Sequence, residues 1–225
     1  MRFGVVRFPG SCDDIDALLA CRRFAEAELL WHGDRTVKGV DAVVIPGGFS
    51  YGDYLRCGAI ARFAPVMSAV VEAAGAGLPV LGICNGFQVL CEAGLLPGAL
   101  LPNSGRRFLC RQVRVSVANA DLPFTRACEE HEALSIPVKH TTGRYYAPEQ
   151  MLDELEASRR IALRYAPGEN PNGSARDIAA VTGEGGNVMG LMPHPEHAVD
   201  PLTGSGDGGK LFESLAAPVR GLAPA

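Results

Sequence analysis

Short apolar runs alternate with stretches of helical periodicity through the first half of this chain, and that alternation leaves few folds open. Residues 2–8, 41–45 and 78–83 read as buried strands, the second stopped by Pro46-Gly47-Gly48. Between them, residues 13–27 are predicted to form a helix with Ile15, Leu18 and Leu19 on one face. Residues 58–76 are predicted to form another, with Ile60, Phe63, Ala64, Met67, Val71 and Ala74 at helical spacing. Strands that alternate with helices build βαβ units, so the expected fold is α/β, a mostly parallel sheet with helices on both faces. The second half changes character. Residues 108–117 alternate apolar and polar side chains, the mark of a strand with one wet face. Residues 133–138, 161–165, 178–181 and 188–192 read as further strands, and 148–157 and 207–217 as helices. No internal repeat or Ser/Pro linker interrupts the 225 residues. Residues 1–217 are therefore expected to form a single domain, and 218–225 a frayed tail.

Composition removes several classes of function. Lys and Arg total 21 against 25 Asp and Glu, a net charge of −4, which does not suit a nucleic-acid surface. No apolar run approaches the ~18 residues that a membrane span needs. The N-terminal run is broken by Arg7, too soon for a signal peptide. The seven cysteines form no Cys-x-x-Cys pair, so neither a disulfide framework nor a zinc ribbon is expected, and a reducing cytoplasm is the expected compartment.

One cysteine stands apart. Gly82-Ile83-Cys84-Asn85-Gly86 follows an apolar strand and leads into a helical pattern, a Gly-x-nucleophile-x-Gly turn. Such an elbow pushes Cys84 out at the carboxyl edge of the sheet, where open α/β folds bind ligands. A helix N-terminus favours thiolate, and the N–H of Asn85 points to where a tetrahedral oxyanion would form. Free cysteines are otherwise usually buried apolar residues, the reading that stands for the other six.

A thiol nucleophile needs a base. His32 and His131 sit in polar connections and read as solvated, while His140 lies among Thr, Arg and Tyr and could meet a ligand. His194 closes an apolar strand within Pro193-His194-Pro195-Glu196. Pro195 favours extended chain there, and in extended chain residues two apart share a side. Glu196 would then stand behind the imidazole and fix its tautomer, completing a nucleophile–base–orienter set. Gly47 and Gly48 follow the 41–45 strand and could bring a second backbone N–H to the oxyanion, although an ordinary turn would look the same.

Three similar patterns fall short. His194-Pro195-Glu196 lacks the downstream Cys-x-x-Cys of a zinc deaminase, since no cysteine follows Cys128. Residues 204–210 mimic a P-loop, but Leu211 stands where Ser or Thr is required, and Asp207 is left as a cap for the last helix. The 47–52 glycines lack a dinucleotide fingerprint. No metal or cofactor is expected in this chain.

Taken together, Pro-Gly-Gly, Gly-x-Cys-x-Gly-x-Gln and a late His-Pro-Glu resemble the class I (triad) glutamine amidotransferase family. Phe8-Pro9-Gly10-Ser11, the long run from Pro46 to Gly58, and Asn170-Pro171-Asn172-Gly173-Ser174 are similar to its branch of separate glutaminase subunits that serve purine synthesis. The resemblance implies a three-layer, flavodoxin-like fold. It implies Cys84 as nucleophile, His194 as base and Glu196 as orienting carboxylate. Gln88 matches a residue that contacts glutamine, with Gly47, Gly48 and Asn85 beside the substrate. It further implies a large synthetase subunit that holds ATP and magnesium and receives the ammonia, and a small accessory subunit. Three departures are visible: the segment after Gly10 is one residue short, Thr141-Thr142-Gly143 replaces Gly-Glu-Gly after His140, and His197 stands where Arg is usual. The segment 51–62 is the expected docking surface. Two other readings of the residues remain open here, a stand-alone cysteine hydrolase and a non-catalytic binding module with a structural Cys84.

Overall fold

A computed structural model describes residues 1–217; the expected tail lies outside the described residues. Four apolar runs become the parallel heart of the sheet: β1 (Arg2–Arg7), β3 (Ala42–Ile45), β4 (Val80–Ile83) and β11 (Val188–Leu191). The last three are buried along their whole length, which is why they read as unbroken apolar sequence rather than as alternation. β2 (Glu26–Trp31) flanks β1, also in parallel. Beyond β11 the sheet continues antiparallel through β10 (Ile178–Thr182), β9 (Ile161–Tyr165), β6 (Leu109–Val117) and β7 (Ala133–His140). The nine strands run in the order β2-β1-β3-β4-β11-β10-β9-β6-β7. A small two-stranded sheet pairs β5 (Ala99–Pro102) with β8 (Thr142–Tyr146).

The helices are α1 (Asp14–Arg22), α2 (Pro65–Gly75), α3 (Asn85–Glu92), α4 (Glu149–Ala157) and α5 (Gly209–Ala216). Together with the sheet they form the three-layer α/β fold expected. Among the described residues, no helix is long and apolar enough to cross a membrane.

Several boundaries differ from the sequence reading. The helix expected over 13–27 ends at Arg22, because residues 26–31 leave it to pair with β1 as an edge strand. Ile15 and Leu19 are exposed, and the buried face is instead Ala17, Leu18, Ala20 and Cys21. The helix expected over 58–76 begins only at Pro65, which is favoured at a first helical position. A short 3-10 turn (Ala61–Phe63) precedes it, so the phase changes: Phe63 and Val71 face outward, while Val66, Met67 and Val70 are buried. Both strands of the small sheet are short and were not predicted. Asp207 does not cap α5; its carboxylate accepts from the backbone N–H of Ser135 at 2.8 Å.

Where β4 turns into α3, space is scarce. A Cβ on Gly86 would lie 2.0 Å from the Ile45 carbonyl oxygen, and one on Gly82 would lie 2.7 Å from the Gly86 carbonyl carbon. Neither obstacle is a flexible side-chain end. Gly86→Ala is therefore expected to cost about 3 kcal/mol of stability or more, read as a lower urea midpoint at unchanged slope.

Candidate active site

The site follows from strand direction. β1, β3, β4 and β11 are mutually parallel, so the segments leaving their carboxyl ends all emerge on one edge. Those segments carry Asp13, Gly47, Cys84 and His194. The far strand β7 also contacts this edge. Its Pro137 carbonyl accepts from the His194 N–H at 2.8 Å, and its Lys139 carbonyl lies 3.9 Å from Cys84 Sγ.

Cys84 sits on the elbow with φ 50° and ψ −102°, a conformation that side-chain-bearing residues seldom adopt. The strain is held by the Cys84 N–H donating to the Leu191 carbonyl at 2.8 Å and by the glycine contacts above. Cys84 caps α3, so the N–H groups of the helix's first turn, Asn85 included, lack intrahelical acceptors.

His194 is buried, and its Nδ1 lies 2.6 Å from Glu196 Oε1. Among the described residues its Nε2 has no hydrogen-bond partner and is left for the thiol and for substrate; Cys84 and His194 line the same cleft. Burial disfavours the imidazolium, but Glu196 and Cys84 outweigh it and raise the ring to about 10. The chain is not extended through Glu196 as expected. Residues Pro195–His197 form a 3-10 turn, with the His197 N–H donating to the His194 carbonyl at 3.2 Å, and the carboxylate reaches the ring from within that turn.

The remaining predicted residues take distinct places. Gln88 is buried beside the cleft; its amide donates to the Thr142 carbonyl at 2.6 Å and accepts from Asn85 Nδ2 at 2.8 Å. The Asn85 side chain also reaches Asp53 Oδ1 at 3.2 Å and accepts from the Ser50 N–H at 3.1 Å, tying the loop after β3 to the elbow. Gly48, at φ 144°, lines the cleft. Gly47 packs behind it, where a Cβ would come within 2.7 Å of His194 Cε1 and 2.4 Å of Asp13 Oδ2. His32 is half-buried rather than solvated, its Nδ1 2.8 Å from the Tyr51 hydroxyl, whereas His131 is exposed.

Other residues at the cleft were not singled out by the sequence. The buried Asp13 and the half-buried Lys139 form an ion pair on the cleft wall, and His197 Nε2 lies 3.2 Å from the same Asp13 oxygen. Asp13 lies at the carboxyl edge after β1, a position that could have marked it. Cys57 is also on the wall, but burial and Asp53 push its thiol up to about 12, so it stays protonated. Asn172 supports β8 by donating to the Gly143 carbonyl at 2.8 Å, which gives the 170–174 motif a structural task. Polar atoms of Asp13, His194, Glu196 and His197 converge within 4.8 Å, compact enough for a cation. The Lys139 ammonium already supplies that charge to Asp13, and His194 Nδ1 is engaged by Glu196.

His140 is buried and lines the cleft, with Nδ1 3.0 Å from Asn103 Oδ1 and Nε2 without a partner among the described residues. Burial, aided by His194, pushes it down to about 4. An unfolded histidine takes its proton near 6.5, so between those values the unfolded chain binds more protons and stability falls as pH drops. The expected loss by pH 4 is roughly 3 kcal/mol. Denaturant titrations at pH 7 and pH 4.5 check it, and His140→Gln should lose less over that interval.

A strained cysteine, a buried histidine and a carboxylate behind it can carry out acyl transfer through a thioester. Comparison with known proteins gives the class. Residues 1–210 match the CobB/CobQ-like glutamine amidotransferase domain, and the chain belongs to that family. The chain is 61% identical to phosphoribosylformylglycinamidine synthase subunit PurQ of Rubrobacter xylanophilus, over 96% of this chain and 98% of that one. It is 59% identical to the PurQ subunit of Frankia casuarinae, over 95% of this chain and 92% of that one. Among solved structures, a chain in the structure of PurLQS from Thermotoga maritima superposes with a TM-score of 0.88 at 44% identity, covering 95% of this chain and 96% of that one.

Proposed function

We infer that this chain is the glutaminase subunit of a phosphoribosylformylglycinamidine synthase, hydrolysing glutamine and delivering ammonia to an ATP-dependent synthetase subunit. The observation that carries this reading is the Cys84–His194–Glu196 arrangement at one cleft, in a chain 61% identical to a PurQ subunit over nearly the full length of both.

In this mechanism the Cys84 sulfur attacks the carboxamide carbon of glutamine, and the carbonyl oxygen becomes an oxyanion facing the Asn85 N–H, with Gly48 on the adjoining wall. The His194 imidazolium gives its Nε2 proton to the departing nitrogen, the C–N bond breaks, and ammonia leaves a γ-glutamyl thioester on Cys84. Neutral His194 then takes a proton from water as the water attacks the thioester. The tetrahedral adduct expels the sulfur, releasing glutamate and regenerating the pair. Glu196 stabilises the imidazolium before ammonia departs and again once water has given up its proton. Gln88, held by Thr142 and Asn85, is placed to meet the carboxamide or shape its pocket.

This subunit is proposed to need no cofactor of its own, with ATP and magnesium bound by the large synthetase subunit, and a small accessory subunit completing the assembly. Tyr54 and Leu55, 73% and 91% exposed beside the cleft's 50s loop, support segment 51–62 as the surface that docks the synthetase. Reconstitution tests the reading. With a synthetase subunit from a close relative, ATP and formylglycinamide ribonucleotide, glutamine should support amidation only when this chain is present. Amidation that ignores this chain while glutamine is the nitrogen source would contradict it.

A further inference from the structure

His194 Nδ1 faces two carboxylates, not one. Glu196 Oε1 lies 2.6 Å away, and Asp13 Oδ2 lies 3.7 Å away on the loop leading into α1. Asp13 is as buried as the ring it faces, 2% exposed against 1%. Its other oxygen, Oδ1, receives the Lys139 ammonium and lies 3.2 Å from His197 Nε2. Its backbone N–H donates to the Gly47 carbonyl at 3.2 Å, and the absence of a side chain on Gly47 is what lets the carboxylate and the ring approach each other. A buried charge is costly unless paired, so a carboxylate fixed there by two cationic or cation-capable partners is a built arrangement.

We propose that Asp13, held in place by Lys139 and His197, is a positioning residue that acts through His194 and sets the pH range over which its imidazolium persists. The proposal rests on the glutaminase reading for its consequence, because the imidazolium is the acid that releases ammonia, but its physical content does not depend on that reading. Every group facing the ring enters the balance. Glu196 and His197 come from its own turn, Asp13 from the start of α1, Lys139 and His140 from β7, and Cys84 from the elbow. His140, pushed down to about 4, is neutral at working pH, and Cys21, whose thiol burial pushes up strongly, is neutral near Glu196. Besides the Cys84 sulfur, which is the ring's reaction partner in every variant, the fixed charges are therefore two carboxylates and one ammonium. Removing the Asp13 charge weakens the imidazolium, and removing the Lys139 charge strengthens it. A purely structural role would give no such opposition of sign.

The test reads the ring directly. The whole chain, labelled with nitrogen-15 histidine, would be titrated by NMR as wild type, Asp13→Asn and Lys139→Met, with His194 assigned by the signal lost in His194→Gln. Asp13→Asn is close in shape and should move the His194 midpoint down by about one pH unit or more, and Lys139→Met should move it up. In the reconstituted complex, the alkaline limb of kcat should move the same way for each variant, with KM for glutamine changed less than threefold. Equal shifts in the two variants, or an unmoved midpoint in Asp13→Asn, would overturn the proposal. If the NMR shifts occur as stated but no variant or wild type hydrolyses glutamine, the positioning stands and the glutaminase reading falls.

Discussion

Cys84→Ala is expected to abolish glutamine-dependent amidation, lowering the rate by at least about 10⁴-fold, because removing a nucleophile that acts as a unit with its base forfeits nearly all of their joint effect. The fold should survive. Cys84 is small and its substitution leaves Gly82 and Gly86 in place, so urea unfolding should change little beyond relief at the φ 50° residue. The informative control is ammonia. With ammonium salts supplied to the complex, amidation should proceed at the wild-type rate, since only the glutamine half-reaction passes through Cys84. Loss of both activities would show that the variant damages the assembly instead.

Glu196→Gln is expected to have the next largest effect. The carboxylate lies 2.6 Å from His194 Nδ1 in a site where the ring is 1% exposed, so the charge acts with little screening. An amide of the same shape keeps the volume but removes the charge that helps raise the ring to about 10. The sign is definite: without Glu196 the imidazolium is lost at lower pH. Glutaminase kcat should fall roughly 10³-fold at neutral pH. Its alkaline limb should move acidward, further than in Asp13→Asn, since Glu196 Oε1 is 2.6 Å from Nδ1 and Asp13 Oδ2 is 3.7 Å. Steady-state kinetics across pH check both statements. The linked stability follows the same sign: a raised ring contributes fully below the unfolded value near 6.5 and loses that contribution as pH climbs through about 10. Glu196→Gln should flatten that decline.

What the sequence revealed and what it hid divide along physical lines. β3, β4 and β11 were legible because burial on both faces writes continuous apolar runs. β2 was not, because an edge strand with Glu26 and Glu28 between apolar residues resembles the continuation of a charged helix. β5 and β8 were missed because a short two-stranded pairing leaves little periodicity to read. Pro65 falls inside the helix that the spacing over 58–76 predicts, and a proline that opens a helix resets its phase. In the site, Cys84, His194 and Glu196 announce themselves locally, through two glycines around one residue and two prolines around another. The Asp13–Lys139 pair spans 126 positions and the His197–Asp13 contact 184, so no local pattern could relate them. In the sequence His197 is only a departure from the resembled family, and the fold supplies the carboxylate that it meets.

The most direct test of the account is covalent labelling by a glutamine analogue that carries a diazo ketone in place of the carboxamide, followed by mass spectrometry of the chain alone and within the reconstituted complex. One adduct is expected, on Cys84, suppressed by glutamine and absent in Cys84→Ala. Adducts spread over the exposed Cys12 and Cys110 with Cys84 unmodified, and no protection by glutamine, would contradict it.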